Sequence, residues 1–367
     1  MRAALSPNGR NTYHGQDAAI ELLVGTMDGI FTAMRDGQGA PWRVTGRALE
    51  GSHVSAIHVE PERGGIFAGA HTGGLFRSLD GGQTWERTTA GLPHEHVFTV
   101  NSTTRDGQVI LYAGTEPPHL CESRDYGATW QELPALRDVP GRDTWDFPAP
   151  PKLAHVKNIA FDPRDSRAMF LCIEQGALLK STDAGQSWRV LNGYHVDVDP
   201  IIYMDTHRVL FRPSNPDQIY LAGGDGMHVS PDQGETWEYV DVRPMNVAYP
   251  DQTVISPLDE DTMFTAGAIT NPKVWRTSKR ADTSVLRSRD GGRTWHRLLG
   301  GLPDPMRPAV EGMTLVGWPG GYTVLLGTTD GEVYQTEDDG ETWTRVLEGL
   351  APLSKVDHAR NLMVTPA

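Results

Sequence analysis

Apolar residues along this chain fall in short alternating runs and not in the stripes of an amphipathic helix. From residue 53 to residue 92 four such runs follow one another: "HVSAIHVEP", "GGIFAGAH", "GLFRSLD" and "TWERTTAGL". Branched and aromatic residues recur at every second position, as a pleated strand with a buried face requires. Gly, Asp and Pro punctuate the runs where the chain must turn. The four-run block returns about every 40 to 55 residues, which is the spacing of four-stranded propeller blades.

Between the third and fourth run of each block lies a polar turn that closes on tryptophan. It reads "RSLDGGQTW", "ESRDYGATW", "KSTDAGQSW", "VSPDQGETW", "RSRDGGRTW" and "QTEDDGETW", ending at Trp85, Trp130, Trp188, Trp237, Trp295 and Trp343. A degenerate copy, "TAMRDGQGAPW", ends at Trp42. Asp can accept from the N–H groups of the turn, Gly supplies positive φ, and Trp offers a broad apolar face to cover the join with the next block. These turns resemble Asp boxes, the BNR repeats of sialidases, sortilin-type receptors, xyloglucanases and photosystem assembly factors. The resemblance implies an all-β, seven-bladed β-propeller, one domain over residues 1–367. Blade 1 is expected from 20–48 plus 356–367, and the others at about 50–92, 94–135, 153–193, 204–243, 245–300 and 308–350. The C-terminal "HARNLMVTPA" is expected to supply the inner strand missing from the N-terminal blade and so to close the ring. In such propellers the box lies on the face opposite the start of the inner strands, so it reads as scaffold.

The inner strands carry the candidate chemistry. Three of them share one register, His followed eight positions later by Pro: His53, His155 and His358. His96 opens the equivalent run "HVFTVNS", while Asp205, Tyr249 and Glu311 occupy that position in the remaining blades. His207 lies two residues beyond Asp205 and points to the same side. Converging imidazoles suit a transition metal, so His53, His96, His155, His207 and His358 are the expected ligands, with iron favoured and copper, manganese or zinc as alternatives. Asp205, Tyr249 and Glu311 are the expected proton-handling groups. His71, Glu116, Glu174 and His119, from loops between second and third strands, would take the other ring N–H of the ligands. Three long segments, 134–154, 192–204 and 269–285, read as a lid; they bring Trp145, Phe147, Tyr203, Trp275 and Arg276 as candidate substrate contacts.

Composition narrows the partners. A net charge of −14 disfavours nucleic acid and anionic membrane surfaces. Two cysteines make no disulfide framework, and no long apolar stretch occurs, so a cytoplasmic protein is expected. The site geometry is similar to that of the carotenoid-cleavage oxygenases, which hold non-haem iron on four histidines at the axis of a propeller. The expectation is therefore a metal-dependent, oxygenase-like enzyme acting on a small, partly aromatic or apolar organic molecule. Two alternatives stand beside it. A sialidase-like glycoside hydrolase would use Tyr249 with Glu311, although the Arg-Ile-Pro signature is absent and "PWRVTG" is the nearest stretch. A non-catalytic binding or assembly scaffold would use the face without chemistry.

Overall fold

The computed structural model describes residues 1–148, 151–194 and 204–363. Among these residues seven sheets account for the strands, six of four strands and one of five. Inner strands are Arg2–Leu5, His53–Val59, Val97–Arg105, His155–Asp162, Thr206–Arg212, Tyr249–Ile255 and Val310–Trp318. After the first blade, each sheet runs outward in chain order, so the seven expected blades are present. Backbone contacts divide the chain into two compact units, Met1–Ser55 with Val240–Ala367, and Ala56–Tyr239. No helix is long and apolar enough to cross a membrane among the described residues.

The Asp boxes fold as their sequence demands. In the third blade Asp125 Oδ1 accepts from Thr129 N at 2.9 Å and from Ser123 Oγ at 2.8 Å, while Thr129 Oγ1 donates to Oδ2 at 2.6 Å. Ser123 Oγ in turn accepts from Gly127 N at 2.8 Å. Gly127 has φ +83° and sits where a Cβ would lie 2.6 Å from the Phe67 ring of the preceding blade. Glycine is thus required twice, for the left-handed turn and for the packing. Trp130 is buried and donates through Nε1 to Thr88 O at 2.9 Å, tying its blade to the one before. The cores lie between successive blades; Ile110, Tyr112 and Leu120 of the third pack with Ile159, Leu171 and Leu179 of the fourth.

The first blade is completed differently from the expectation. Its inner strand is Arg2–Leu5, which pairs in parallel with the next strand, Ala3 opposite Leu22 and Leu5 opposite Val24. Thr12–His14 then adds in parallel to the inner strand of the seventh blade, Thr12 opposite Leu315. Between them, Pro7 O accepts from Gln252 Nε2 at 3.1 Å and Asn11 Nδ2 donates to Thr253 O at 2.9 Å. The apolar "RAAL" is a better buried edge than "HARNL", in which His358, Arg360 and Asn361 would each need a polar partner. His358–Leu362 is a short helix instead of a strand, and residues 364–367 of the expected closing strand lie outside the described residues.

Candidate functional site

Near its start, each of five inner strands carries one residue more than the partner strand can match. The pairing shifts between Val97 and Thr99, Val156 and Asn158, Thr206 and Arg208, Pro250 and Gln252, and Val310 and Gly312. The extra residues are Phe98, Lys157, His207, Asp251 and Glu311. A bulge re-aims a side chain and breaks strict alternation, so one inner strand presents both its opening residue and its bulged residue. Tyr249 opens its strand as the Pro spacing predicts, opposite Ala268. Glu311 does not: it occupies the bulge, the position equivalent to Lys157 and not to His155.

Within the unit Ala56–Tyr239 these residues form a ladder of imidazoles and carboxylates. His155 is paired with Glu174 across the strands and its Nε2 lies 2.8 Å from Glu174 Oε2. Its Nδ1 is 3.6 Å from Glu116 Oε2. Glu116 Oε1 in turn lies 3.7 Å from His71 Nε2 and 3.6 Å from His96 Nδ1. On the other side, Lys157 Nζ is 3.4 Å from Glu174 Oε2, and His207 Nε2 lies 3.1 Å from Asp205 Oδ1. Phe98 stacks on the His155 ring with centroids 3.9 Å apart. His155, Glu174, Lys157, Asp205, His207 and Glu116 are all buried, whereas the His96 side chain is 49% exposed.

Charge explains the protonation pattern. Burial alone would raise the Glu116 carboxyl, but His155 and His71 beside it outweigh burial and hold it at about 2. Burial likewise opposes a charged His155 ring; Glu174 and Glu116 on its two sides overcome this and raise its pKa. Opposite charge therefore prevails over desolvation at both Glu116 and His155.

The unit Met1–Ser55 with Val240–Ala367 holds a separate set. His358 Nδ1 lies 2.6 Å from Glu311 Oε1, and Glu311 Oε2 accepts from Lys355 N at 2.7 Å. Lys355, fully buried, pairs through Nζ with Asp251 Oδ2 at 2.7 Å. His53 Nε2 meets Ser354 O. Trp275 places its ring edge-on to His358 at 5.5 Å and to Tyr249 at 6.3 Å.

The five expected ligands thus do not form one ligand set among the described residues. Carboxylates at neighbouring strand ends occupy His155, His207 and His358, and a backbone carbonyl meets His53. The groups whose ligand atoms approach within 4.8 Å of one another are His71, His96 and Glu116, and Glu174, Asp205 and His207. His71 and Glu116, expected behind the ligands, stand level with His96. His119 belongs elsewhere, with its Nδ1 2.6 Å from Glu132 Oε1. Sequence reasoning misses Lys157, Asp251, Lys355 and Phe98; a charge inside a buried apolar run, as in "HVKNIAFDP", is the signal that could find the first two.

The lid residues mostly pack inward. Phe147 is buried with its ring centroid 5.3 Å from that of His155, and Trp145 closes over Gly176, where a Cβ would lie 3.1 Å from its Cγ. The segment 269–285, expected as a loop, contains the helix Pro272–Ser278, capped by Asn271 through its bond from Lys273 N. That helix buries Trp275 and leaves Arg276 exposed. Tyr203 lies outside the described residues. Cys121 and Cys172 are buried free thiols, and burial pushes both up to about 12.

Residues 36–191 match the family described as photosynthesis system II assembly factor YCF48. Xyloglucanase Xgh74A of Acetivibrio thermocellus is 26% identical over 284 residues, 67% of this chain and 32% of that protein. A xyloglucanase of Paenibacillus sp is 25% identical over 279 residues, 65% of this chain and 25% of that protein. The chain therefore spans a third or less of the length of the curated relatives it matches. Among solved structures, an ancestral GH74 enzyme superposes with TM-score 0.63 at 17% identity, over 80% of this chain and 38% of that one. YCF48 from Cyanidioschyzon merolae superposes with TM-score 0.54 at 14% identity, over 89% of this chain and 94% of that one. At such identities the structural likeness speaks for the fold. The relatives overturn the expected iron- or copper-dependent oxygenase: they carry the names of polysaccharide hydrolases and of an assembly factor. The two alternatives, hydrolase and scaffold, fit these findings better.

Proposed function

The chain is a seven-bladed β-propeller of Asp-box (BNR) repeats, and on that scaffold we propose a non-catalytic binding protein that docks a protein partner. One observation carries this reading: the clustered carboxylates are buried and face basic side chains of their own cluster. Cleaving a glycosidic bond needs a carboxylic acid that keeps its proton near neutrality and a second carboxylate across the bond. Glu116 is held at about 2. Glu174 takes His155 and faces Lys157, and Asp205 faces His207. All three are at most 3% exposed, beyond the reach of a polysaccharide. In the other unit, Glu311 is engaged by His358 and the Lys355 backbone, which removes it as the partner of a Tyr249 nucleophile. The match of residues 36–191 to the assembly-factor family supports the same reading.

The identity with xyloglucanases favours a second reading, glycoside hydrolysis. The two separate on one preparation. Under the scaffold reading, the protein releases no reducing ends from xyloglucan, migrates unretarded in xyloglucan-containing native gels, and enriches a consensus from a displayed peptide library. Turnover that disappears in Glu174→Gln or Asp205→Asn would establish the hydrolase instead.

A further inference from the structure

We infer that His71, His96 and Glu116 form a binding site for one divalent transition-metal ion of the zinc class. The inference goes beyond the docking reading and holds whichever partner the propeller takes. His71 lies at the end of the second strand of blade 2, Ile66–Thr72. His96 and Glu116 flank the first two strands of blade 3, and Glu116 N donates to His96 O at 2.9 Å. This backbone link fixes two of the three side chains to one frame.

The spacing suits an ion. A metal about 2.1 Å from each ligand sets tetrahedral ligands roughly 3.4 Å apart. Here the carboxylate oxygen Glu116 Oε1 lies 3.7 Å from His71 Nε2 and 3.6 Å from His96 Nδ1, too far for hydrogen bonds. Glu116 Oε1 is itself buried and has no hydrogen-bond partner. A buried carboxylate oxygen left without a donor is costly, and a cation coordinated by all three groups would satisfy it. Two imidazoles with one carboxylate select a transition ion over magnesium or calcium, which prefer all-oxygen sites.

The surroundings hold the set in place. His71 rests edge-on against Phe98, ring centroids 4.9 Å apart. His155 faces the other oxygen of Glu116 and is itself anchored by Glu174, the kind of outer support that orients metal ligands. The half-exposed His96 leaves the remaining coordination position toward solvent. The neighbouring group of Glu174, Asp205 and His207 differs in one decisive respect. Lys157 Nζ stands 3.4 Å from Glu174 Oε2, a positive charge, beside one of the three groups, that would repel an ion there.

The test uses untagged, full-length protein stripped with chelator and titrated calorimetrically with zinc chloride. One equivalent is expected to bind, and cobalt(II) in its place should show the strong visible absorption of a four-coordinate ion. His96→Ala, at a half-exposed position, should keep the circular-dichroism spectrum and melting of the parent while weakening zinc binding by about a hundredfold; His71→Gln should do the same. Absence of zinc binding by the parent protein, or unchanged affinity in His96→Ala, would overturn the site.

Discussion

Asp125 gathers the hydroxyls of Ser123 and Thr129 and the N–H of Thr129 on two oxygens, and this small knot recurs in every complete box. Removing it leaves turn donors without acceptors, as loss of a helix cap does. Asp125→Ala is therefore expected to destabilise by about 1–2 kcal/mol, read as a lower urea midpoint with an unchanged slope. The same bonds set the acid response. Burial is the largest single influence on Asp125 and opposes its charged form, but the bonds from Thr129 and Ser123 together outweigh it and depress the carboxyl to about 2. Thr84 and Ser78 do the same for Asp80, again to about 2. A carboxyl depressed on folding contributes stability above its unfolded pKa and loses it as pH falls through the folded value. The urea midpoint should thus hold steady down to about pH 4 and fall between there and about pH 2. Lys157 is a sharper case, because its charge is buried beside Glu174. Lys157→Met is expected to cost about 3 kcal/mol or more, since the carboxylate stays behind.

At the scale of the element, the strands and boxes are legible in the sequence because they are decided locally. Alternation gives the strand, and S-x-D-x-G-x-T-W gives the turn without help from the rest of the chain. Gly127 shows how tight that determination is. Its φ is +83°, and a Cβ added there would stand 2.6 Å from the Phe67 ring. Gly127→Ala is therefore expected to cost roughly 2–4 kcal/mol, measurable by thermal unfolding. The opening residues His53, His155 and Tyr249 are also readable, since Pro eight positions on marks the register, although the same ruler misplaces Glu311 and His358. The bulges are not. A bulge is settled by which carbonyl on the partner strand each N–H finds; the lysine inside "HVKNIAFDP" interrupts the apolar run without saying that the strand bulges there. That is why Lys157 and Asp251 escape a reading of the sequence and why Glu311 reads as an opening residue, a position it does not hold. The helix Pro272–Ser278 is hidden similarly, its seven residues flanked by polar ones and held by the burial of one Trp.

For the whole molecule, the number of blades follows from counting boxes, but the partner of the first blade does not. Two segments could supply its inner strand, and burial chooses the more apolar one, Arg2–Leu5. Deleting residues 2–15 is expected to bare the inner edges of the first and seventh sheets and to increase self-association relative to the parent protein. Light scattering coupled to size exclusion would report it, and an unaltered elution profile would argue that the segment is dispensable.

That same segment sets a timetable for biogenesis. Thr12 meets Leu315, a partner made on the order of 300 residues later. At a ribosomal pace of about 5–20 residues per second, the nascent Thr12–His14 strand waits roughly 15–60 s before its mate emerges. Cotranslational assembly can complete the central sheets meanwhile, but this closure waits until Leu315 has emerged, and chaperones have that interval in which to hold the waiting strand.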